Sequence, residues 1–153
     1  METQSTYFHF LFSLLITIYF GCNQPKKDNL NTLLNSWNGP FNGVPAFDQV
    51  RVEDVEDAML IAMSSHLGEI QKIADNTEPP SFENTILSME RSGNQLERAY
   101  AYYGVLSNNK STSEFRDIEK NLAPNFADYN SKIIQNERLF NRIDEIYKFS
   151  IKN

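Results

Sequence analysis

One cysteine, two histidines and fourteen basic residues set against twenty acidic ones are what this 153-residue chain has little of. A single thiol, Cys22, closes no intrachain disulfide. The histidines are His9 and His66. His9 falls in an apolar N-terminal run, and His66 is followed by Leu67, so there is no H-E-x-x-H zinc motif and no Cys/His cluster. The chain also lacks G-x-S-x-G and a glycine-rich phosphate loop. Serines are present, but no base is placed by the sequence to activate one. The residues present therefore assign no catalytic, cofactor-binding or metal-binding position. The net charge of -6 argues against nucleic acid or an anionic membrane surface as partner. No stretch shows the period-two alternation of a half-buried strand, which makes the expected class all-α.

No apolar run reaches the about 20 residues that a membrane-spanning helix needs. The longest, Tyr7 to Phe20, is interrupted only by His9, Ser13 and Thr17. Its length suits the apolar core of a signal peptide, although the preceding residues carry Glu2 and no Lys or Arg. Ile18-Tyr19-Phe20-Gly21-Cys22 resembles a bacterial lipobox, with Tyr19 and Phe20 bulkier than its usual residues. Residues 1–21 are thus expected to be a lipoprotein-type signal and Cys22 a lipidation site, the alternative being an incidental thiol. That address implies the cell envelope of a bacterium, on the periplasmic or outer-membrane face; without a working signal it becomes cytoplasmic. Residues 22–34, polar and without period, read as a linker.

What the chain has in quantity is helix-forming pattern. Residues 35–48 gather Trp37, Phe41 and Phe47 among two glycines and two prolines. They predict an extended arm lying across helices, with an aromatic ligand groove as the functional alternative. A first helix is expected from about Glu53 to Asp75, with Val55, Met59, Ala62, His66, Ile70 and Ile73 on one face. Its region holds seven acids (Glu53, Asp54, Glu56, Asp57, Glu69, Asp75, Glu78) against Lys72 alone. A dipole-matched, solvated helix start accounts for them better than a carboxylate site does. His66 and Glu69 could form a metal-ligand pair, but a core histidine bonded locally is the simpler reading.

Ser81, after Pro79-Pro80 and before Glu83, predicts an N-cap. The seam Phe82, Ile86, Met89, Gly93, Leu96, Tyr100 and Tyr103 then predicts one helix of about seven turns to Ser107. Its last part, Ala99–Leu106, is apolar all round and predicts an uncovered apolar patch. A third helix opens near Ser111–Glu114 and is expected to kink, not stop, at Pro124. After Gln135-Asn136, a last helix points Leu139, Ile143, Ile146 and Tyr147 inward, with Lys152 near its end. About four helices, antiparallel and bundle-like, follow the arm.

Several stretches together resemble the N-terminal region of the thimet oligopeptidase and peptidyl-dipeptidase family of zinc metallopeptidases, the bacterial peptidyl-dipeptidase branch most of all. They are Asn35–Phe41, Gly43–Asp48, Pro79–Ile86 with Leu87, Met89-Glu90, Ser92-Gly93 and Leu96, then Leu122-Ala123-Pro124 and Leu139–Ile143. The resemblance covers essentially Leu33–Tyr147. It implies an all-helical peptidase with a deep channel that cleaves short peptides. In the full-length family zinc is held by H-E-x-x-H and a later glutamate, and none of these ligands maps onto this sequence. The expectation is that residues 35–153 form the helical scaffold segment of such an enzyme, truncated before its catalytic portion, with that portion as packing partner. A self-contained helical lipoprotein that binds a protein or peptide is the alternative.

Overall fold

A computed structural model describes residues 29–39, 43–109 and 112–151. The signal segment, Cys22, Phe41 and Lys152 lie outside them. Among the described residues there is helix and no strand. The helices are α1 (Asn29–Leu34), α2 (Val55–Ala74), α3 (Ser88–Glu90), α4 (Asn94–Asn109), α5 (Ser113–Ile134) and α6 (Glu137–Ser150), with a turn of π-helix over Phe82–Leu87 ahead of α3.

The hub is α2. It packs against α1, α4, α5 and α6, and its Val55, Met59, Ala62 and Ile70 are buried as the periodicity predicts. A larger core joins Met59 and Ala62 to Leu33, Leu96, Tyr102, Phe115 and Leu122, while a smaller one joins Ile70 and Ala74 to Leu139 of α6. The start signals at Ser81 and Ser111–Glu114 resolve into caps, and Asn136, read only as part of a break, supplies a third. Ser81 Oγ accepts from Asn84 N at 3.1 Å, Thr112 Oγ1 from Phe115 N at 3.2 Å, and Asn136 Oδ1 from Leu139 N at 3.0 Å. α5 runs uninterrupted through exposed Pro124, so the proline is no stop.

Three expectations are corrected. The single helix over 81–107 is broken at Arg91–Gly93, where Gly93 turns to φ +75°. Beyond the break the buried residues are Leu96, Ala99, Tyr102 and Leu106, while Tyr100 of the expected seam is exposed, as is Phe82 before it. The chain leaves the helix because the Gly93 amide donates to Glu69 Oε2 at 2.7 Å, not to a carbonyl one turn back. Second, α1 lies inside the stretch read as linker. Its Leu33 and Leu34 are buried in the main core, so residues 29–34 belong to the folded body. Third, Tyr147 points outward, and the buried position on α6 that the apolar pattern missed is Arg142.

The arm's described residues do lie on a helix. Tyr102 of α4 meets Trp37 and Phe47 edge-on, with ring centroids 6.3 and 5.1 Å away, and its hydroxyl accepts from Ala46 N at 3.0 Å. Gly43, at φ +85°, passes so close that a Cβ there would come within 2.4 Å of the Trp37 backbone. No other residue fits that crossing.

Candidate functional site: two polar junctions in the helical body

Two hydrogen-bonded clusters hold residues far apart in sequence, and each contains a stretch that carries the family resemblance. The first is built on His66. Its Nδ1 lies 2.5 Å from the Tyr129 hydroxyl of α5, and its Nε2 lies 2.9 Å from Ser92 Oγ at the break before α4. Ser92 Oγ also lies 2.6 Å from the Met89 carbonyl, which can only accept. The hydroxyl proton therefore goes to Met89, and Nε2–H donates to Ser92. That leaves Nδ1 as acceptor for the Tyr129 O–H. The order runs Tyr129 to His66 to Ser92 to Met89, with the first three each donating once and the Met89 carbonyl accepting last.

A serine beside a histidine is the pairing that the sequence alone did not reveal, because 26 residues separate them. The pattern of donors decides what it does. A nucleophilic serine must give its proton to the imidazole, whereas this imidazole donates to the serine. Burial lowers the pKa of His66, with the nearby Glu69 carboxylate opposing it. Burial likewise raises that of Tyr129, with Tyr100 adding to it. The neutral ring thus suits its place as a link between α2, α5 and the break. It fits there because Gly93 has no side chain: a Cβ would lie 3.2 Å from three atoms of the ring.

The second cluster is built on Arg142, whose guanidinium is buried without a carboxylate. Its Nε donates to Thr85 Oγ1 at 3.2 Å, Nη1 to the carbonyls of Asn76 and Glu78 at 2.7 and 3.0 Å, and Nη2 to Asn84 Oδ1 at 2.8 Å. Asn84 Oδ1 also accepts from Ser81 N and Thr85 Oγ1, both at 2.9 Å. One fork therefore fixes the turn after α2, the Ser81 cap and the π-helical turn against α6. The planar spread of donors explains arginine here, since a lysine ammonium cannot reach four acceptors around that arc. Pro79–Ile86 and Leu139–Ile143, both quoted above for the resemblance, meet in this cluster.

The acids of 53–78 are not gathered into a site. Asp54 pairs with Arg51 at 3.0 Å, Glu56 accepts from Asn121 at 3.2 Å, Glu69 holds Gly93, and Asp75 pairs with Arg138. Among the described residues no three His, Cys, Asp or Glu side chains converge as metal ligands. Both nitrogens of His66 are engaged by hydroxyls, so His66 and Glu69 do not fit zinc.

Concave regions also lie on the surface of the described residues. A cleft of about 280 Å³ beside the arm is lined by Trp37, Tyr102 and amide side chains, including Asn35, Asn38 and Gln49. A more apolar groove of about 590 Å³ runs between Pro79, Pro80 and Phe82 on one side and Ile146 and Phe149 of α6 on the other.

No protein-family model matches the chain. Curated proteins do. A dipeptidyl carboxypeptidase of Escherichia coli (strain K12) is 29% identical over 104 residues, covering 68% of this chain and 15% of that protein. The dipeptidyl carboxypeptidase of Salmonella typhimurium is 25% identical over 118 residues, 77% of this chain and 17% of that protein. Oligopeptidase A of Haemophilus influenzae is 26% identical over 113 residues, 72% and 15% respectively. The chain spans about a sixth of the length of these relatives. This helical body is thus similar to one segment of bacterial peptidases.

Proposed function

We propose that this chain is a scaffold segment of a zinc-dependent oligopeptidase or peptidyl-dipeptidase, and that it hydrolyses nothing by itself. Short peptides are the substrates of the whole enzyme in this reading, and its zinc ligands lie outside the described residues. A lipid on Cys22 would hold it at the bacterial cell envelope. The observation that carries the reading is the use made of the motif residues. Those that match the family pattern, Ser81, Asn84, Thr85, Ser92, Gly93 and Arg142, are engaged in caps, a clamp and a helix break. That use supports a scaffold role.

Two experiments test it. The pure chain, assayed on short fluorogenic peptides with and without added zinc, is expected to show no turnover, and chelator-sensitive hydrolysis would overturn the scaffold role. Translating the coding DNA beyond Asn153 in all frames is expected to reveal H-E-x-x-H. Its absence would favour the second reading, a self-contained lipoprotein that binds a peptide or protein. What favours that one is the cleft beside Trp37 and Tyr102, where aromatic faces and amides meet.

A further inference from the structure

α6 is apolar over more of its circumference than the body covers. Going round the helix at about 100° per residue, apolar positions run from Phe149 through Ile146, Leu139 and Ile143 to Phe140, Tyr147 and Ile151. That arc is about 200° wide, interrupted by the buried Arg142 and by Ser150, and is roughly twice the stripe a surface helix needs to dock. Leu139 lies in the core, while Phe140, Tyr147 and Ile151 are 62%, 62% and 63% exposed. Ile134, at the end of α5, is 80% exposed. The expected patch on α4 is smaller, because Tyr100 stacks on Phe126 at 5.5 Å and Tyr103 packs edge-on against both rings.

We propose that the flank of α6 bearing Phe140 and Tyr147, with Ile151 just past its end, is the surface on which this body packs against the remainder of a peptidase of its relatives' kind, an inference that rests on the reading above. Two observations select that occupant. The matched segment is only 15–17% of each relative, so in those proteins it has several times its own mass of chain to pack against. The basic side chain beside the flank is also already matched, Lys148 to Asp144 at 2.5 Å. The surface therefore suits an apolar protein face better than a phosphate-rich or strongly charged partner.

The test compares the full chain with its Phe140→Ser/Tyr147→Ser variant and with Val105→Ser, whose side chain is exposed on α4. All three are expected to melt within a few degrees of each other, since the altered side chains stand in solvent. The probe is the Escherichia coli dipeptidyl carboxypeptidase lacking the segment that this chain matches, tagged and co-expressed. Wild type and Val105→Ser are expected to co-purify with it, and the double variant at least tenfold less. Equal capture of all three overturns the assignment to α6 alone, while no capture of wild type overturns the scaffold reading too. Fluorescence of an anilinonaphthalene sulfonate dye on the free chains gives an answer that does not depend on the probe's folding. The double variant is expected to lose more of it than Val105→Ser, and the reverse order moves the patch to α4. A wild-type dimer in sedimentation that the double variant abolishes makes a second copy the occupant and overturns the proposal.

Discussion

At His66 the folded protein holds a neutral ring between two hydroxyls, and the sign of its pH dependence follows. Burial places the folded-state pKa below the ordinary value of 6.5. The ring's contribution to stability is therefore complete above about pH 6.5 and is lost as pH falls from there through the folded-state value. Protonation makes Nδ1 a donor facing Tyr129, which then has to turn its own proton elsewhere. Thermal melts between pH 7.5 and 5 are expected to fall more steeply for wild type than for His66→Gln, whose amide can accept from Tyr129 and donate to Ser92. Parallel curves would remove His66 from the account. Two glycines make a matched pair at this scale. Gly93→Ala puts a Cβ against the His66 ring at a positive φ and is expected to cost about 2–3 kcal/mol. Gly68→Ala, on α2 with nothing near the new methyl, is expected to gain about 0.5–1 kcal/mol. Denaturant midpoints of the two variants, moving in opposite directions, are the measurement.

Among the elements, α6 depends on one side chain more than its apolar pattern suggests. Removing the Arg142 fork leaves the buried Thr85 hydroxyl and the Asn76 and Glu78 carbonyls without their donor. Arg142→Leu is therefore expected to cost about 3 kcal/mol. Arg142→Lys, which keeps the charge but not the fork, should recover only part of that. A variant as stable as wild type in urea would mean that water satisfies the turn. On α5, Pro124 sits exposed inside the helix without an N–H to give. Pro124→Ala restores that bond and is expected to raise stability by about 1–3 kcal/mol, read from the same midpoint. The elements themselves were largely legible in the sequence. Ser81, Thr112 and Asn136 are polar side chains at the point where an apolar period begins, a signal confined to four residues. The break at Gly93 was not legible, because its cause is Glu69, 24 residues earlier. Periodicity simply continued through it, and past Leu96 the predicted seam was one residue out. Both junctions failed for the same reason. Ser92 needs His66, and Thr85 needs Arg142 57 residues on, and no local pattern announces a partner at that distance. Only the resemblance placed residues of both junctions among the stretches it quoted, without saying what any of them touched.

For the whole molecule, the open question is where the folded body starts, and two leucines answer it. Composition made residues 22–34 look like tether: asparagines, lysines and a proline dominate them. Yet Leu33 is 1% exposed and Leu34 7%, both inside the cluster that holds Met59, Leu96 and Tyr102. The Leu34 carbonyl also accepts from Arg98 Nη2 at 3.2 Å, which ties α1 to α4 by hydrogen bond as well as by packing. A short polar helix with two adjacent leucines has too little periodicity to be seen as amphipathic, so burial here is decided by α2 and α4, which supply the pocket. Cutting the chain inside that stretch separates the two views. A chain beginning at Asn29 and one beginning at Asn35 differ by six residues, of which two fill core volume. Losing both leucines removes about 3–6 kcal/mol of burial and leaves Met59 and Leu96 facing a void. For a body of this size that is on the order of half of a typical folding free energy. The shorter chain is expected to melt at least 10 °C lower, with weaker near-ultraviolet dichroism from Trp37 and Tyr102. Equal melting temperatures would return residues 29–34 to the tether and leave the core closed by α2 and α4 alone.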